Sequence, residues 1–279
     1  MKKIITCLVT VLFFLTNSRA QDWKTTPIPE DVKNAHLWIL DTQHSDDFNY
    51  EGKNAQFYKI WKDSYVNDWK GPGLTYFSSD HSVIKNGNLE IKAERKDPGN
   101  VYCGVISAKT PIIYPIFTEV RMKISGLKLS SNFWYISKDQ VNEIDINETY
   151  GAEPKGGKTM GTNYHIFQRE PFKDLSKEPK HFEAEGGPML KDDYHRFGCY
   201  WKDPFTFYFY LDGKLVREMN IKDPRTPSVG FNQSLLMILD TEDHQWRSDK
   251  GIIATDEELK NPSQNTMYVD WVRVYIPKK

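Results

Sequence analysis

The sequence has little cysteine. Three cysteines occur among 279 residues, and one of them, Cys7, lies in an N-terminal leader segment. The remaining two, Cys103 and Cys199, allow one bridge at most, which excludes a framework stapled by several disulfides. Both lie in apolar, strand-like runs, so we interpret them as buried thiols that pack as small hydrophobic groups. A Cys103–Cys199 bridge is the alternative.

The sequence also lacks an excess of charge of either sign. It has 37 basic and 38 acidic residues, for a formal net charge of −1. Without a strong single-sign field, a nucleic-acid partner is not implied. The 39% hydrophobic and 14% aromatic content argues against disorder and favours strands, with flat aromatic surfaces for a ligand.

Long apolar runs are missing beyond the N-terminus. Two lysines precede the apolar stretch 4–15, and small residues at positions 18 and 20 precede a cut before Gln21. This pattern predicts a signal peptide over residues 1–20, because the stretch is shorter than the ~20 residues of a membrane span. We therefore predict an exported protein, periplasmic or extracellular, without a membrane span. We expect it to be a monomer with one domain over residues 21–279.

The dominant period along the chain is two, which is typical of strands. Turn signals such as Asp212-Gly213 separate the alternating runs. The clearest runs are Leu89–Ala93, Val120–Ile124, Phe205–Leu211 and Met267–Tyr275. One short helix is predicted at Asp256–Leu259, and the stretches 154–161 and 172–191 are predicted to be long surface loops. The pattern predicts an all-β fold, an antiparallel sandwich.

One strand-like run is patterned unlike an ordinary core strand, because its acidic residues lie together on one face. In Glu143-Ile144-Asp145-Ile146-Asn147-Glu148 the first two acids share one face, whereas Glu148 would fall on the isoleucine face of a regular strand. One extra residue, a β-bulge, would return Glu148 to the acids' face, and bulges often occur beside active sites. An ordinary solvated strand face is the alternative.

Three acids on one face can divide their labour. Neighbouring like charges raise one another's pKa, so one carboxyl can stay protonated while another is ionised. Glycoside hydrolysis needs this division, and a retaining enzyme places its two carboxyls about 5–5.5 Å apart. The pattern favours a glycosidase, and a non-catalytic sugar-binding protein on the same sandwich is the rival class.

The acid strand resembles the Glu-x-Asp-x-x-Glu strand of glycoside hydrolase family 16, and further motifs are similar to the β-agarases of that family. These motifs occur in order over about residues 45–275, nearly the whole predicted mature chain. They include Ser45–Tyr50, Trp61–Asp63, Trp69–Thr75, Asp80–Ser82, Ser107–Thr110, Ser131–Trp134, Trp201–Pro204, Glu242–Arg247, Thr255–Leu259 and Val269–Tyr275.

The resemblance implies a fold and an activity. The fold would be a β-jelly-roll of two curved antiparallel sheets with a substrate cleft on the concave face. The activity would be endo-hydrolysis, with retention, of internal β-1,4 links in agarose, a galactan polysaccharide of red algae. Glu143 would be the nucleophile and Glu148 the general acid/base, with Asp145 hydrogen-bonded between them. No cofactor would be required for catalysis.

The resemblance also implies binding residues. Trp134 and Trp69 would stack on sugars, and His165, Arg169 and Glu242 would line the cleft. Many relatives carry a structural calcium, which here would involve Asp270; a hydrogen-bonding role at the strand edge is the alternative for this residue.

The chain departs from the usual agarase pattern at three places: Asn147, Thr149 and a shortened segment before His165. These departures leave the substrate open between agarose, porphyran or a hybrid galactan, and laminarin. A sulfated substrate would need cationic donors beside the stacking tryptophans, and Lys70 is the one candidate there. We therefore expect neutral agarose to be preferred.

Overall fold

The computed structural model describes residues 23–221 and 230–279. The predicted signal peptide lies outside this range. The helices are short: α1 (Glu30–Ala35), α2 (Ala55–Ile60), α3 (Gln245–Ser248) and α4 (Asp256–Lys260). The strands are β1 (Trp38–Leu40), β2 (Trp61–Lys62), β3 (Thr75–Phe77), β4 (Ser82–Lys85), β5 (Asn88–Asp97), β6 (Asn100–Cys103), β7 (Val105–Ala108), β8 (Ile116–Lys123), β9 (Ser130–Ser137), β10 (Asn142–Tyr150), β11 (Thr159–Gln168), β12 (Lys173–Lys177), β13 (Lys180–Glu183), β14 (His195–Asp203), β15 (Thr206–Leu211), β16 (Lys214–Asn220), β17 (Leu235–Glu242) and β18 (Thr266–Pro277).

The strands form two large sheets, which confirms the predicted all-β jelly-roll sandwich. One sheet has ten strands in the order β16-β15-β14-β8-β18-β5-β6-β3, with β1 beside β18 and β4 beside β5. The other has eight strands in the order β12-β11-β10-β9-β17-β7-β2, with β13 beside β11. The pairing is antiparallel except between β3 and β6, which run parallel.

The main hydrophobic core combines side chains of both sheets. It contains Ile144 and Ile146 of β10 together with Phe197 and Trp201 of β14, all of them fully buried. The two isoleucines therefore point towards the ten-stranded sheet. We call the opposite face of β10 and its neighbours, which carries Glu143 and Asp145, the acid face.

The turn predicted at Asp212-Gly213 and the predicted helix are both present. Asp212 and Gly213 join β15 to β16 and have φ angles of 53° and 81°, as a two-residue turn with left-handed residues requires. Helix α4 begins after Thr255, whose side chain caps the backbone N–H of Glu258 while the Glu258 carboxylate accepts from the Thr255 N–H. This reciprocal pair of bonds fixes the start of the helix.

Two predicted loops are shorter than expected. The stretch 172–191 contains β12 and β13, which pair with β11 at the margin of the eight-stranded sheet. Their charged sequence is typical of edge strands, which are often protected by lysine, and this charge hides the strand pattern. The stretch 154–161 contains a 3₁₀ turn at Gly156–Lys158, and β11 then begins at Thr159.

The interpretation of the cysteines is confirmed, since Cys103 and Cys199 are both free and buried. Burial raises the pKa of each thiol, which disfavours the reactive thiolate. No helix in the described parts of the chain is long and apolar enough to cross a membrane.

Candidate active site

A β-bulge at Ile146 builds the acid face. Asp145 lies opposite Trp134 of β9, and Asn147 lies opposite Phe133, so Ile146 has no partner in the ladder. Beyond the bulge, Glu148 lies opposite Asn132. The predicted bulge is therefore present, and it returns Glu148 to the acid face, because one extra residue reverses the alternation of a strand.

Cross-strand pairing arranges the polar side chains of this face in rows, because directly opposed residues of an antiparallel sheet point to the same side. Asn132 lies between Glu148 of β10 and Asp240 of β17. Ser130 lies between Tyr150 and Glu242 in the same way. On the other flank of β10, Glu143 lies opposite His165 of β11, and Asp145 lies opposite Asn163.

His165 contacts three carboxylates. Its Nε2 lies 3.5 Å from Asp145 Oδ2 and 3.9 Å from Glu143 Oε1, and its Nδ1 lies 3.0 Å from Asp174 Oδ2. Burial by itself lowers the pKa of His165, but the hydrogen bond and charge of Asp145, followed by the charges of Glu143 and Asp174, raise it to about 9. His165 is therefore a cation near neutral pH.

Asn163 acts against this charge. Its Oδ1 accepts the Glu178 N–H at 2.9 Å, so its Nδ2 faces His165 Nε2, 2.8 Å away. A donor at that distance favours a neutral ring. The charged contacts outweigh it. Asp174 bonds Nδ1 at 3.0 Å, and such a charge-assisted bond is about twice as strong as a neutral one. The charges of Asp145 and Glu143 act on Nε2 from 3.5 Å and 3.9 Å.

The first carboxyl of the set has an unusual proton affinity. Burial and the neighbouring charge of Asp145 raise the pKa of Glu143 well above its ordinary value, while the charges of His165 and Arg169 lower it and that of Glu148 raises it further. The sequence-based prediction that these acids raise one another's pKa is confirmed for Glu143.

The second carboxyl has its own neighbours. Oε1 of Glu148 accepts a short hydrogen bond from the Tyr150 hydroxyl and lies 3.8 Å from His244 Nε2. The same nitrogen lies 3.6 Å from Glu242 Oε1 and 3.1 Å from Ser130 Oγ. Burial raises the pKa of Glu242 well above its ordinary value, and the charges of Asp240 and Glu148 add to this effect.

Asp240 connects the acids to Trp134. Its carboxylate accepts bonds from Asn132 Nδ2 at 2.7 Å and Trp134 Nε1 at 3.2 Å. The pKa of Asp240 is raised to about 7. Burial is the largest cause, the two hydrogen bonds act against it, and the charges of Glu148 and Asp145 add to it. Asp240 and its neighbour Asp243 are both buried.

The two predicted stacking residues differ in exposure. Trp69 is 45% exposed, whereas Trp134 is 8% exposed. Tyr65 packs between them, with its ring centroid 5.3 Å from that of Trp69 and 6.0 Å from that of Trp134. Trp69 therefore offers a broad aromatic surface beside Tyr65, whereas little of the Trp134 ring is exposed.

Arg169 lies at the Glu143 flank of the acid face. Its guanidinium carbon lies 4.6 Å from the centroid of Phe167 and 5.7 Å from that of Phe172, and Nη2 donates a short bond to Gln140 O. Phe167 also stacks on His165, with 5.1 Å between ring centroids. Phe172 is 63% exposed, so this flank presents a second aromatic surface.

The departures at Asn147 and Thr149 do not reach the surface. Both residues are buried. Asn147 Nδ2 donates to Ser131 O at 2.9 Å, and Thr149 Oγ1 lies 2.7 Å from Asn147 Oδ1 and 2.8 Å from Thr159 O. Each polar group thus has a partner, and neither side chain lines the acid face.

Two sets of residues could be considered for a metal. Among the described residues, Glu143, Asp145 and His165 bring donor atoms within 4.8 Å of one another. The raised pKa of His165, about 9, disfavours a metal here near neutral pH, because a protonated imidazole has no lone pair for a metal.

The calcium suggested at Asp270 does not fit the arrangement around this residue. Asp270 lies on β18 of the ten-stranded sheet, and its Oδ2 lies 2.6 Å from Arg121 Nη1. A backbone oxygen close to Asp270 in the sheet, the Asp46 carbonyl, is also engaged, because it accepts the Val272 N–H at 2.8 Å. A guanidinium therefore already supplies the positive charge at a site where calcium would need six to eight oxygen ligands.

The structure thus brings all eight predicted catalytic and binding residues to one face and leaves Asp270 outside it. Sequence reasoning missed Tyr150, His244 and Tyr65 as members of the site. Tyr150 could have been found, because it lies two residues beyond Glu148 and shares its face. His244 and Tyr65 lie outside regular strands, so no alternation marks them.

Comparisons with known proteins define the family. A family model described as the glycoside hydrolase family 16 domain of β-porphyranases A–D matches residues 38–277. The chain therefore belongs to glycoside hydrolase family 16.

Relatives within the family carry agarase names. The chain is 44% identical to an extracellular agarase of Streptomyces coelicolor, over 91% of this chain and 88% of that protein. It is 36% identical to a β-agarase of Phocaeicola plebeius, over 98% of each chain. Among solved structures, β-agarase A in complex with oligoagarose superposes with a TM-score of 0.84 at 35% identity, over 93% of this chain and all of that one.

Proposed function

We propose that this chain is an exported β-agarase, which hydrolyses internal β-1,4 links of agarose with retention of configuration. The observation that carries the proposal is the bulge at Ile146, which gathers Glu143, Asp145 and Glu148 on one face of β10. Relatives at 36–44% identity named as agarases support the substrate class.

The proposed reaction has two displacements. A Glu143 carboxylate oxygen attacks the anomeric carbon while Glu148 donates its proton to the departing glycosidic oxygen, so the C1–O4 bond breaks and a glycosyl–Glu143 ester forms. Glu148 then takes a proton from water, whose oxygen attacks the same carbon and releases Glu143. Two inversions give net retention.

Asp145 and His165 support the nucleophile in this scheme. His165, as a cation 3.9 Å from Glu143 and 3.5 Å from Asp145, favours the ionised nucleophile. Asp145 orients the Glu143 carboxyl, and its own charge keeps His165 protonated. Neither residue exchanges a proton with substrate.

Exposed aromatic surfaces on both flanks support binding of a polymer. Trp69 lies beyond Tyr65 on one flank, and Phe172 lies beside Arg169 on the other. Aromatic rings bury the apolar faces of sugars, and groups such as Arg169 and Glu242 can bond their hydroxyls. We infer that a chain binds across the acid face and is cut internally.

Neutral agarose is preferred in this proposal because the cation beside the exposed tryptophan is engaged. The Lys70 ammonium lies 5.4 Å from the centroid of Tyr76. A buried sulfate would need free charge-assisted donors. Export is supported by the leader pattern and by the relative named as extracellular.

Parallel assays test the proposal. Reducing ends released from agarose, porphyran, κ-carrageenan and laminarin by the purified protein should be fastest from agarose. The viscosity of agarose should fall early, with a spread of even-numbered oligosaccharides. Binding without release would make the protein a non-catalytic galactan binder, and a single short early product would indicate exo attack.

A porphyranase is the second candidate function. The family model that matches residues 38–277 carries a porphyranase description, which favours this alternative. A rate on porphyran well above that on agarose would establish it.

A further inference from the structure

Tyr150 is placed beside the proposed acid/base by the same bulge that places Glu148. Tyr150 lies two residues beyond Glu148 on β10, after the bulge, so both side chains point to the acid face. The Tyr150 hydroxyl donates to Glu148 Oε1. Tyr150 is 7% exposed, so substrate has little access to its ring, and the hydroxyl acts through Glu148.

Arg247 fixes the ring of Tyr150. Its guanidinium carbon lies 3.9 Å from the ring centroid, a cation–π contact that is strengthened when it is shielded from water. The Arg247 guanidinium is itself held in place, because its Nη2 lies 2.6 Å from Glu153 Oε1. A glutamate, an arginine and a tyrosine thus form a chain of contacts that ends on Glu148.

The contacts engage one oxygen of Glu148. Oε1 takes the Tyr150 hydroxyl and faces His244 Nε2, which leaves Oε2 to meet the glycosidic oxygen. Burial, followed by the charge of Glu148, raises the pKa of Tyr150, so the hydroxyl keeps its proton and remains a donor. A carboxyl with one oxygen tied has a fixed direction for the other, and orientation is a large part of catalysis.

We propose that Tyr150 is a positioning residue that aims Oε2 of Glu148 at the leaving group, with Arg247 holding Tyr150 in place. The inference rests on the proposed function, because it gives Glu148 the role of general acid. It adds a requirement that the acids alone do not make: the proton donor reaches its full rate only when its other oxygen, Oε1, is held by Tyr150.

The test compares two leaving groups. Tyr150→Phe keeps the ring under Arg247 and removes the hydroxyl. With agaro-oligosaccharide, whose leaving group needs a proton, kcat should fall about 10- to 100-fold, the cost of one bond to a charged group, with KM little changed. The second substrate is an agaro-oligosaccharide that carries a dinitrophenyl group on its terminal galactose, and this leaving group needs no proton. With it, the pre-steady-state burst of dinitrophenol should match that of the unmodified protein.

Two further variants make the comparison decisive. Tyr164→Phe is the matched control, because its hydroxyl bonds Ser176 Oγ at 2.8 Å in the core; it should lower the melting temperature at most. Arg247→Met should show the same dependence on leaving group as Tyr150→Phe, in weaker form.

The outcomes separate the inference from the proposed function. If Glu148→Gln shows the leaving-group dependence and Tyr150→Phe does not, Tyr150 has no positioning role. If Tyr150→Phe loses activity equally on both substrates and has a lowered melting temperature, Tyr150 has a structural role only. If the unmodified protein releases no sugar, or Glu148→Gln loses the burst as well, the proposed function itself is wrong.

Discussion

Glu148 lies directly opposite Asn132 on β9, whereas Asp145, three residues earlier, lies opposite Trp134, only two residues away on that strand. The difference of one residue is Ile146, which is fully buried. The core thus absorbs the extra residue as an apolar side chain, and the acid face receives a carboxylate in return. The bulge at Ile146 thus serves both the packing of the core and the placement of Glu148.

Replacement of the acids should separate their roles. Glu148→Gln should lower kcat about 10²- to 10⁴-fold, the usual contribution of a general acid or base, and Glu143→Gln should cost at least as much, because it removes the nucleophile. Asp145→Asn should cost less than either. Glu218→Gln, on β16 of the other sheet, is the control and should retain full activity.

Azide distinguishes the two glutamates. With Glu143→Ala, added azide should attack from the vacated side and give a glycosyl azide of inverted configuration. With Glu148→Ala it should give the retained configuration, since Glu143 still forms the ester. Exchanged configurations would show that the roles of the two residues are swapped.

The acidic limb of the pH profile should lie high for a glutamate. Glu143 must be ionised to attack, and burial with the charge of Asp145 raises its pKa. Activity should therefore decline as pH falls through a value above the ordinary ~4.3. In kcat/KM profiles, which report the free enzyme, Asp145→Asn should move this limb to lower pH and His165→Gln to higher pH. A limb near 4 that neither variant moves would contradict the assignment.

His165 should make stability depend on pH. Its folded-state pKa of about 9 exceeds the ~6.5 of a free imidazole, so protonation stabilises the fold. This contribution is complete below about pH 6.5 and is lost as pH rises through about 9. The difference in unfolding free energy between the unmodified protein and His165→Gln should shrink over that window. A difference independent of pH would mean that the folded-state pKa is not raised.

Chelation should leave the fold unaffected. Arg121 Nη1, at 2.6 Å from Asp270 Oδ2, supplies the charge that a calcium ion would supply. The melting temperature should be the same in EDTA and in millimolar calcium, and Arg121→Met should lower it, because Asp270 is buried and would lose its charged partner. A lower melting temperature in EDTA that calcium restores would establish a metal site at Asp270.

The sequence contained much of the fold and most of the site. Alternation predicted the central strands, and the odd placement of Glu148 predicted the bulge, because a carboxylate is too costly to bury in a core without a partner. The strands between 173 and 183 were missed, since edge strands carry charges that resemble a loop. Contacts that depend on side-chain direction, such as Arg247 over Tyr150, leave no periodic trace.

The stereochemistry of the first product tests the central claim most directly. ¹H NMR spectra recorded in the first minutes of agaro-oligosaccharide hydrolysis resolve the anomers of the new reducing end before mutarotation mixes them. The two-displacement scheme through Glu143 and Glu148 predicts that the β-anomer appears first and the α-anomer only later. An α-anomer that appears first would mean direct attack by water and would contradict the account.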